Sequence, residues 1–494
     1  MIPTAPIFAA ADAAAAETFA PAAKVALGVY LLLLLALGAL GYKRSSGGDE
    51  DYYLAGRGQG WIVSSLTIMA TFFSSFALLS APGLVYKTGV AFALFALNVP
   101  FGAVLVYVLG KRIRQAGVAR GYVTPSDMLA DGYGGSESVR LLSALCGMAY
   151  SIPYVVMQIQ AGGLVSEILF PEAENAFQWG AVVLAAITML YIMVGGMRSV
   201  AWTDAIQGSM LMGGMMLAGV AAVAALGGIG PFFEKVDALP AEALTVPGAD
   251  GAWPAWKMLT ICVVASLGSM IQPAQWMRYY AARSAGALKR SALAFGIILP
   301  PCFLIGVMLV GLGGRILYPP GVGEGGAILA SEALGGTAKD FDKILVVLLK
   351  DYLPELLGPA GAALAACVVV AILAASMSTA DSSLHALSAI ASRDLYQRYL
   401  RKAASALELA WVGRGAIAFG TAAAVALVLK GYGNDHFTPI AVIAQMGFLA
   451  IGFSTQLALR SSTNSFSARE PPPEPPPGSS PAWSSCSAFR RCSA

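Results

Sequence analysis

The sequence predicts an all-α polytopic membrane protein of about eleven transmembrane helices, built as two five-helix repeats of opposite topology. Three observations lead there. Apolar runs of 18 or more residues recur along the whole chain, each long enough to cross the hydrocarbon layer as a helix. Lysine and arginine gather in alternate connections. Two of the runs, five apart, are interrupted at their centres by polar or helix-breaking residues.

Composition narrows the classes first. Of 494 residues, 57% are hydrophobic and 12% charged, about half the charged share of a soluble protein. The formal net charge of +3 gives no argument for nucleic acid. The six cysteines are scattered singly, Cys146, Cys262, Cys302 and Cys367 in apolar segments and Cys486 and Cys492 near the end. No Cys-x-x-Cys pair occurs, so neither a zinc site nor a disulfide framework is suggested. Two histidines, His385 and His436, are too few for a His-rich metal site. A membrane enzyme would need a clustered acid, base or metal set, and these residues do not offer one.

By run length the spans lie near 24–42, 60–86, 90–110, 140–170, 176–195, 199–228, 257–281, 288–316, 358–391, 408–430 and 437–459. The first is a retained helix rather than a signal peptide. Its apolar core, Val25 to Leu40, is long for one, and Lys43-Arg44 follow it where a cleavage site would stand. With the N-terminus outside, the inner connections carry Lys43, Arg44, Arg57, Lys111, Arg112, Arg114, Arg120, Arg140, Arg198, Arg278, Arg283, Lys289, Arg290 and the cluster from Arg393 to Arg414. The outer ones hold far fewer, so the positive-inside rule places the C-terminal tail in the cytoplasm. Two outer connections are long. Residues 229–256 carry Phe232, Phe233, Trp253 and Trp256, suited to an interface or a gate cover, and 317–357 contain an amphipathic helix around Phe341 to Tyr352. A solvated loop is the plain alternative for both. The chain divides into an N-terminal segment 1–23, a transmembrane domain 24–459 with repeats near 60–228 and 257–459, and a Ser/Pro-rich tail 460–494 from which no core can be built.

The second span, "GWIVSSLTIMATFFSSFALLSAPGLVYKTG", has Thr67, Thr71, Ser74 and Ser75 at its centre and then Pro82-Gly83. The seventh contains "ASLGSMIQPAQWMRYY", with Gly268, Ser269, Gln272, Pro273 and Gln275. Unwound backbone at membrane depth is tolerated only inside protein or along a cavity. Spans 2–6 and 7–11 would each begin with a broken helix, and because five is odd the halves are inverted. That pattern points to a secondary transporter with its site at mid-membrane. Hydroxyl back-bonding and a proline kink are the ordinary alternative for a single such helix.

The ninth span contains "ILAASMSTADSSLHALSAIASRDLY". Ala375, Ser378, Thr379 and Ser382 fall at i, i+3, i+4 and i+7 and share one helical face. Two hydroxyls one turn from a small residue leave room for oxygens to meet a small hard cation, with unwound backbone of a partner helix supplying the rest. Asp381 lies off that face, beside a basic group or the inner vestibule. Alternatively these hydroxyls are interhelical glue.

Four stretches resemble the sodium:solute symporter family, whose members share the LeuT-like inverted-repeat fold. "DYYLAGRGQGW" (51–61) is similar to the family's approach to its second helix, and "YIMVGGMRSVAWTDAIQG" (191–208) to its Tyr, Gly-Gly, Trp-Thr-Asp, Gln signature. "QPAQWMRYYAARS" (272–284) resembles the inner end of its broken seventh helix, and "ILAASMSTADSS" (372–383) its sodium helix. The three glycines Gly56, Gly58 and Gly60 alone would suggest a dinucleotide loop, but no strand precedes them. The resemblance implies a sodium site made by the carbonyls of Ala70, Phe73 and Ala375 and the hydroxyls of Ser378 and Thr379. It implies that Asp204 serves cytoplasmic release of sodium, a salt bridge to a residue such as Arg198 being the structural alternative. Thr71, Phe72, Ser74, Ser75, Tyr154, Gln158, Ser269 and Gln272 would line the solute site. Tyr154 and Gln158, one turn apart, would otherwise be a hydrogen-bonded core pair.

Phe72, where some members carry a polar or acidic residue, leaves a cationic amine without a counter-charge. Ser269 and Met270 argue against sugars. "YSIPYVVMQIQAGG" (150–163) and the ninth span look most like the branch carrying small monocarboxylates, whose carboxylate would meet half-helix ends because no Lys or Arg sits mid-membrane. The expectation is therefore a sodium-coupled importer of a small organic solute, a monocarboxylate first, in a multi-pass cell membrane, with no nucleic acid and no obligate protein partner. An amino-acid or sugar symporter, and a solute sensor of the same architecture, stay open, as does a proton in place of sodium. The family usually adds one or two helices after the eleventh, and none is legible before the tail.

Overall fold

The structure is a computed structural model that describes residues 5–43, 49–170, 172–337, 340–432 and 450–451. The eleventh predicted span, except Ala450 and Ile451, and the Ser/Pro-rich tail lie outside the described residues. Spans are numbered below in chain order as in the sequence.

Seven helices are long and apolar enough to cross a membrane, or up to nine when each of two sharply bent pairs counts as one span. The 50-residue helix Ala176–Ala225 holds both the fifth and the sixth predicted spans. Its helical path is broken at Gly196, where φ is 56°, a left-handed conformation that glycine adopts without a Cβ penalty. A Cβ there would stand 3.0 Å from the Tyr52 carbonyl oxygen. The first helix, Ala5–Lys43, begins well before the predicted span, as its alanine-rich start favours; its membrane-crossing part is Pro21–Ala39.

The ninth span, within Pro359–Leu400, is the central post. Every residue from 368 to 390 is buried, so its hydroxyls and carboxylate face neighbouring helices rather than lipid. The first, fourth, fifth, sixth and tenth spans pack around it. By contrast Val25, Val29 and Leu32 of the first span, Leu293 and Ile297 of the eighth, and Trp411 and Phe419 of the tenth are exposed, an apolar perimeter of the kind a bilayer covers.

The long connections are partly helical. Residues 229–256 contain Ile229–Asp237 and Ala241–Leu244. There Phe232 and Trp253 are buried while Phe233 and Trp256 are exposed. The amphipathic helix expected around Phe341 to Tyr352 forms as Ile344–Leu357. A two-residue antiparallel pairing of Gly321–Val322 with Ile328–Leu329 precedes it, too short to be read from sequence.

Candidate functional site

Both interrupted spans break where the sequence places the interruption. The second runs as Trp61–Phe72 and Ser75–Thr88, bent by 68°, and the seventh as Ala255–Ile271 and Pro273–Ala281, bent by 52°. In the second, Phe73 and Ser74 are extended, with ψ of 126° and −172°. The seventh breaks at one residue, Gln272, with ψ of 149°, and restarts on Pro273. Proline suits a first helical position because its missing N–H would have no helical partner there.

Breaking a helix releases backbone groups that must find partners when buried. The extended Phe73 turns the Ser74 amide away from the Ala70 carbonyl, its ordinary helical acceptor. That carbonyl faces the ninth span instead, where the Thr379 hydroxyl stands 3.5 Å away as donor. The Thr71 carbonyl, one residue on, is met by the Gln272 side-chain amide at 3.5 Å. The Ser75 amide and hydroxyl both donate to Gln158, at 3.4 and 2.7 Å. The first break is thus held by the ninth, seventh and fourth spans together.

This arrangement brings Ala70, Ala375, Ser378 and Thr379 to one place, all fully buried, with Phe73 at the break beside them. Ser378 donates to the Ala375 carbonyl at 3.0 Å. The result is a buried junction of carbonyl and hydroxyl oxygens with no carboxylate among the residues named, the donor chemistry that suits a small monovalent cation. Among the described residues no group of three His, Cys, Asp or Glu side chains could hold a metal ion.

A cavity of about 40 Å³ lies against the same break, room for only a few waters, so its walls must part to admit an organic solute. Phe72, Phe73, Phe76, Phe95 and Phe303 give it aromatic walls, and Ser74, Asn98, Tyr154 and Ser269 bring the polar groups. No Asp, Glu, Lys, Arg or His lines it among the described residues. Four of the eight residues expected at the solute site are therefore there: Phe72, Ser74, Tyr154 and Ser269. The other four sit behind the wall. Thr71 donates back to the Thr67 carbonyl at 2.8 Å, Ser75 and Gln158 bond each other, and Gln272 accepts from the Tyr150 hydroxyl while donating to Thr71. Asn98, on the third span, escaped the sequence reading because a single Asn in a long apolar run carries no pattern.

Asp204 is fully buried and ion-paired with Arg278 at 2.5 Å. The expected alternative partner, Arg198, instead pairs with Asp51. Arg278 is a correction to the charge reading, which counted it among the loop cations. It lies inside the helix Pro273–Ala281, 1% exposed, and also donates to Ser382. Asp381, off the hydroxyl face as expected, accepts from Tyr191 at 2.7 Å and from Ser382 at 3.0 Å. Tyr191, Asp204 and Gln207 of the Gly-Gly, Trp-Thr-Asp stretch thus reach the ninth, seventh and first spans in turn, Gln207 through Tyr30 at 2.6 Å.

The start of the second span and the end of the seventh are stitched by backbone. Gln59 donates to the Ala281 carbonyl at 3.1 Å, and Arg283 donates to the Gln59 carbonyl at 2.8 Å. Arg114 adds two bonds, to the carbonyls of Ala282 and Arg283. The segments "DYYLAGRGQGW" and "QPAQWMRYYAARS", distant in sequence, meet in this bridge.

A bundle with up to nine apolar spans among the described residues, two of them broken, with a hydroxyl facing a freed carbonyl and a neutral cavity alongside, has the architecture of a LeuT-like secondary active transporter. The sodium:solute symporter family profile matches residues 52–450, and the chain belongs to that family: it is a multi-pass membrane protein that couples sodium to the movement of a small organic solute. Among relatives, the osmoregulated proline transporter OpuE of Bacillus subtilis is 27% identical over 432 residues, spanning 86% of this chain and 80% of its own. The sodium/proline symporter of Escherichia coli is 27% identical over 413 residues, 81% of this chain and 75% of its own. The structure of a Na+-coupled sialic acid symporter in a substrate-bound outward-open state superposes with a TM-score of 0.67 at 21% identity, covering 89% of this chain and 86% of that one. MhsT in complex with L-phenylalanine gives 0.52 at 14%, covering 82% and 91%. At these identities the solved structures speak for the fold alone.

Proposed function

We propose that the protein imports a small neutral amino acid together with sodium, and that sodium is held by the carbonyls of Ala70, Phe73 and Ala375 and the hydroxyls of Ser378 and Thr379. The approach of the Thr379 hydroxyl to the Ala70 carbonyl, across two spans and at a helix break, carries this reading. Sodium placed there would tie the second span to the ninth and favour the solute-competent state. Coupling needs sodium to prefer that state by about 1–3 kcal/mol. Asp204, salt-bridged to Arg278 below the junction, would line the way out to the cytoplasm, with the N-terminus outside.

The amino-acid reading replaces the monocarboxylate one on two grounds. Several relatives are named as proline transporters. The cavity is neutral and aromatic, which suits a zwitterion with an apolar body and gives a lone carboxylate no cationic partner. Phe72 and its edge-on neighbour Phe295, ring centroids 4.8 Å apart, would pack against that body.

The test is uptake into proteoliposomes under an imposed inward sodium gradient, with labelled proline, other neutral amino acids, short monocarboxylates and sugars. Accumulation of an amino acid that stops when potassium replaces sodium supports the reading. Accumulation of a monocarboxylate alone overturns it, and binding without accumulation favours a solute sensor.

A further inference from the structure

Asn98 is 3% exposed and lines the cavity. Its position is fixed from behind. The Asn98 carbonyl accepts from the Ser266 hydroxyl at 2.7 Å, and Ser266 belongs to the outer half of the seventh span. Cys262, one turn earlier, reaches back to the Leu94 carbonyl at 3.6 Å. The third span is thus tied to the seventh through its backbone at Asn98 and one turn earlier, which fixes where the Asn98 side chain starts.

Its side-chain oxygen has no hydrogen-bond partner among the described residues, and no other residue lining the cavity has such an orphaned buried atom. Ser74 caps the outer half-helix by accepting from the Phe76 amide at 3.2 Å. An acceptor enclosed by aromatic rings is costly to leave unpaired, and native proteins rarely do so without a reason. A solute with an N–H would pair it. A carboxylate or ketone carbonyl could meet only the Asn98 amide N–H2 and would leave this oxygen unpaired.

We propose that Asn98 is a specificity-determining residue that reads a hydrogen-bond donor on the solute, which for an amino acid is its ammonium or secondary-ammonium group. The proposal rests on the reading of this cavity as the solute site. It adds a residue that discriminates between two solutes of equal size, because a polar site rejects an analogue lacking the matching group far better than an apolar pocket rejects a missing methylene.

The experiment compares the wild type with Asn98→Ala and Asn98→Asp in proteoliposomes under a sodium gradient. It measures KM, maximal rate and inhibition by the solute's analogue in which the amine is replaced by hydrogen. Asn98→Ala raises KM roughly tenfold or more and shrinks the preference for the solute over its des-amino analogue, with a smaller change in maximal rate. Asn98→Asp, which keeps an acceptor oxygen, retains that preference. A role in packing alone would lower the amount of folded protein or the rate in both variants and leave the preference untouched, and that result overturns the proposal. If Asn98→Ala does not fold, loss of the preference in Asn98→Asp overturns it equally. If the wild type carries a sugar instead, the amino-acid reading fails, but a sugar hydroxyl is also a donor. A tenfold KM rise for that sugar in Asn98→Ala would then uphold the inference, and an unchanged KM would overturn it. If the wild type carries only a monocarboxylate, both fail together.

Discussion

The two broken helices look alike in sequence and divide their labour in the structure. The second span unwinds over two residues and turns by 68°. It exposes carbonyls toward the hydroxyls of the ninth span. The seventh unwinds at one residue, turns by 52°, and restarts at once on proline. It supplies a clamp, Gln272 on the Thr71 carbonyl, and an anchor, Arg278 on Asp204. The wide break leaves the Ala70 carbonyl facing the Thr379 hydroxyl. A narrow one spends its freed groups on holding its partner. Pseudo-symmetry of sequence therefore does not imply equality of role.

The largest effect expected from this division is structural and falls on the seventh span. Arg278→Ala leaves Asp204 buried and without its partner, and should cost about 3–5 kcal/mol. The readout is the thermal unfolding midpoint in detergent. Adding Asp204→Asn should recover part of the loss, and strictly additive losses would show that the pair is not coupled. Next comes the junction between the second and ninth spans. Ser378→Ala with Thr379→Ala should raise the sodium concentration for half-maximal uptake at least about tenfold, while stability falls by under about 1 kcal/mol per hydroxyl. Gln272→Leu strips the partner from the Thr71 carbonyl and from the Tyr150 hydroxyl. We expect a loss of about 1–3 kcal/mol, with sodium activation disturbed less than in the hydroxyl pair. Equal disturbance would erase the distinction between clamp and ligand.

The smallest effect tests the C-terminal end of the second span. Ser80 donates to Asp342 at 3.1 Å, and Gly83 packs so closely that a Cβ would stand 2.6 Å from the Phe341 carbonyl oxygen. Burial pushes the Asp342 carboxyl up to about 7. Below about pH 4 the group is protonated whether or not this segment is docked. As pH rises from there to about 7, only the undocked form sheds its proton, so docking weakens across that window and levels off above it. Asp342→Asn should therefore gain on the wild type between pH 5 and 7, by a midpoint difference on the order of 2 °C. A difference that does not change with pH would contradict this.

Much of this was legible beforehand. Run length marked out the apolar spans, of which seven, or up to nine with the bent pairs, stand among the described residues, because twenty apolar residues in sequence have few other uses. Polar residues at corresponding places in two spans located both breaks, and the i, i+3, i+4, i+7 spacing put Ser378 and Thr379 on one face. What escaped depended on partners that sequence separation hides. Arg278 reads as a loop cation until Asp204, 74 residues earlier, is seen against it. Gln158 reads as a solute ligand until Ser75 turns its amide toward it. The bridge through Gln59 joins backbone atoms, which leave no mark on residue identity. Asn98 is one polar residue in an apolar run, and only its enclosure by phenylalanines gives it meaning.

The most direct test of the central claim, that sodium held between the second and ninth spans drives solute import, is a sodium titration of amino-acid uptake in proteoliposomes containing wild type or the Ser378→Ala, Thr379→Ala variant, each shown to be folded. The account predicts saturable sodium activation in the wild type and its displacement to at least about tenfold higher sodium in the variant. Identical sodium curves for the two proteins would contradict it.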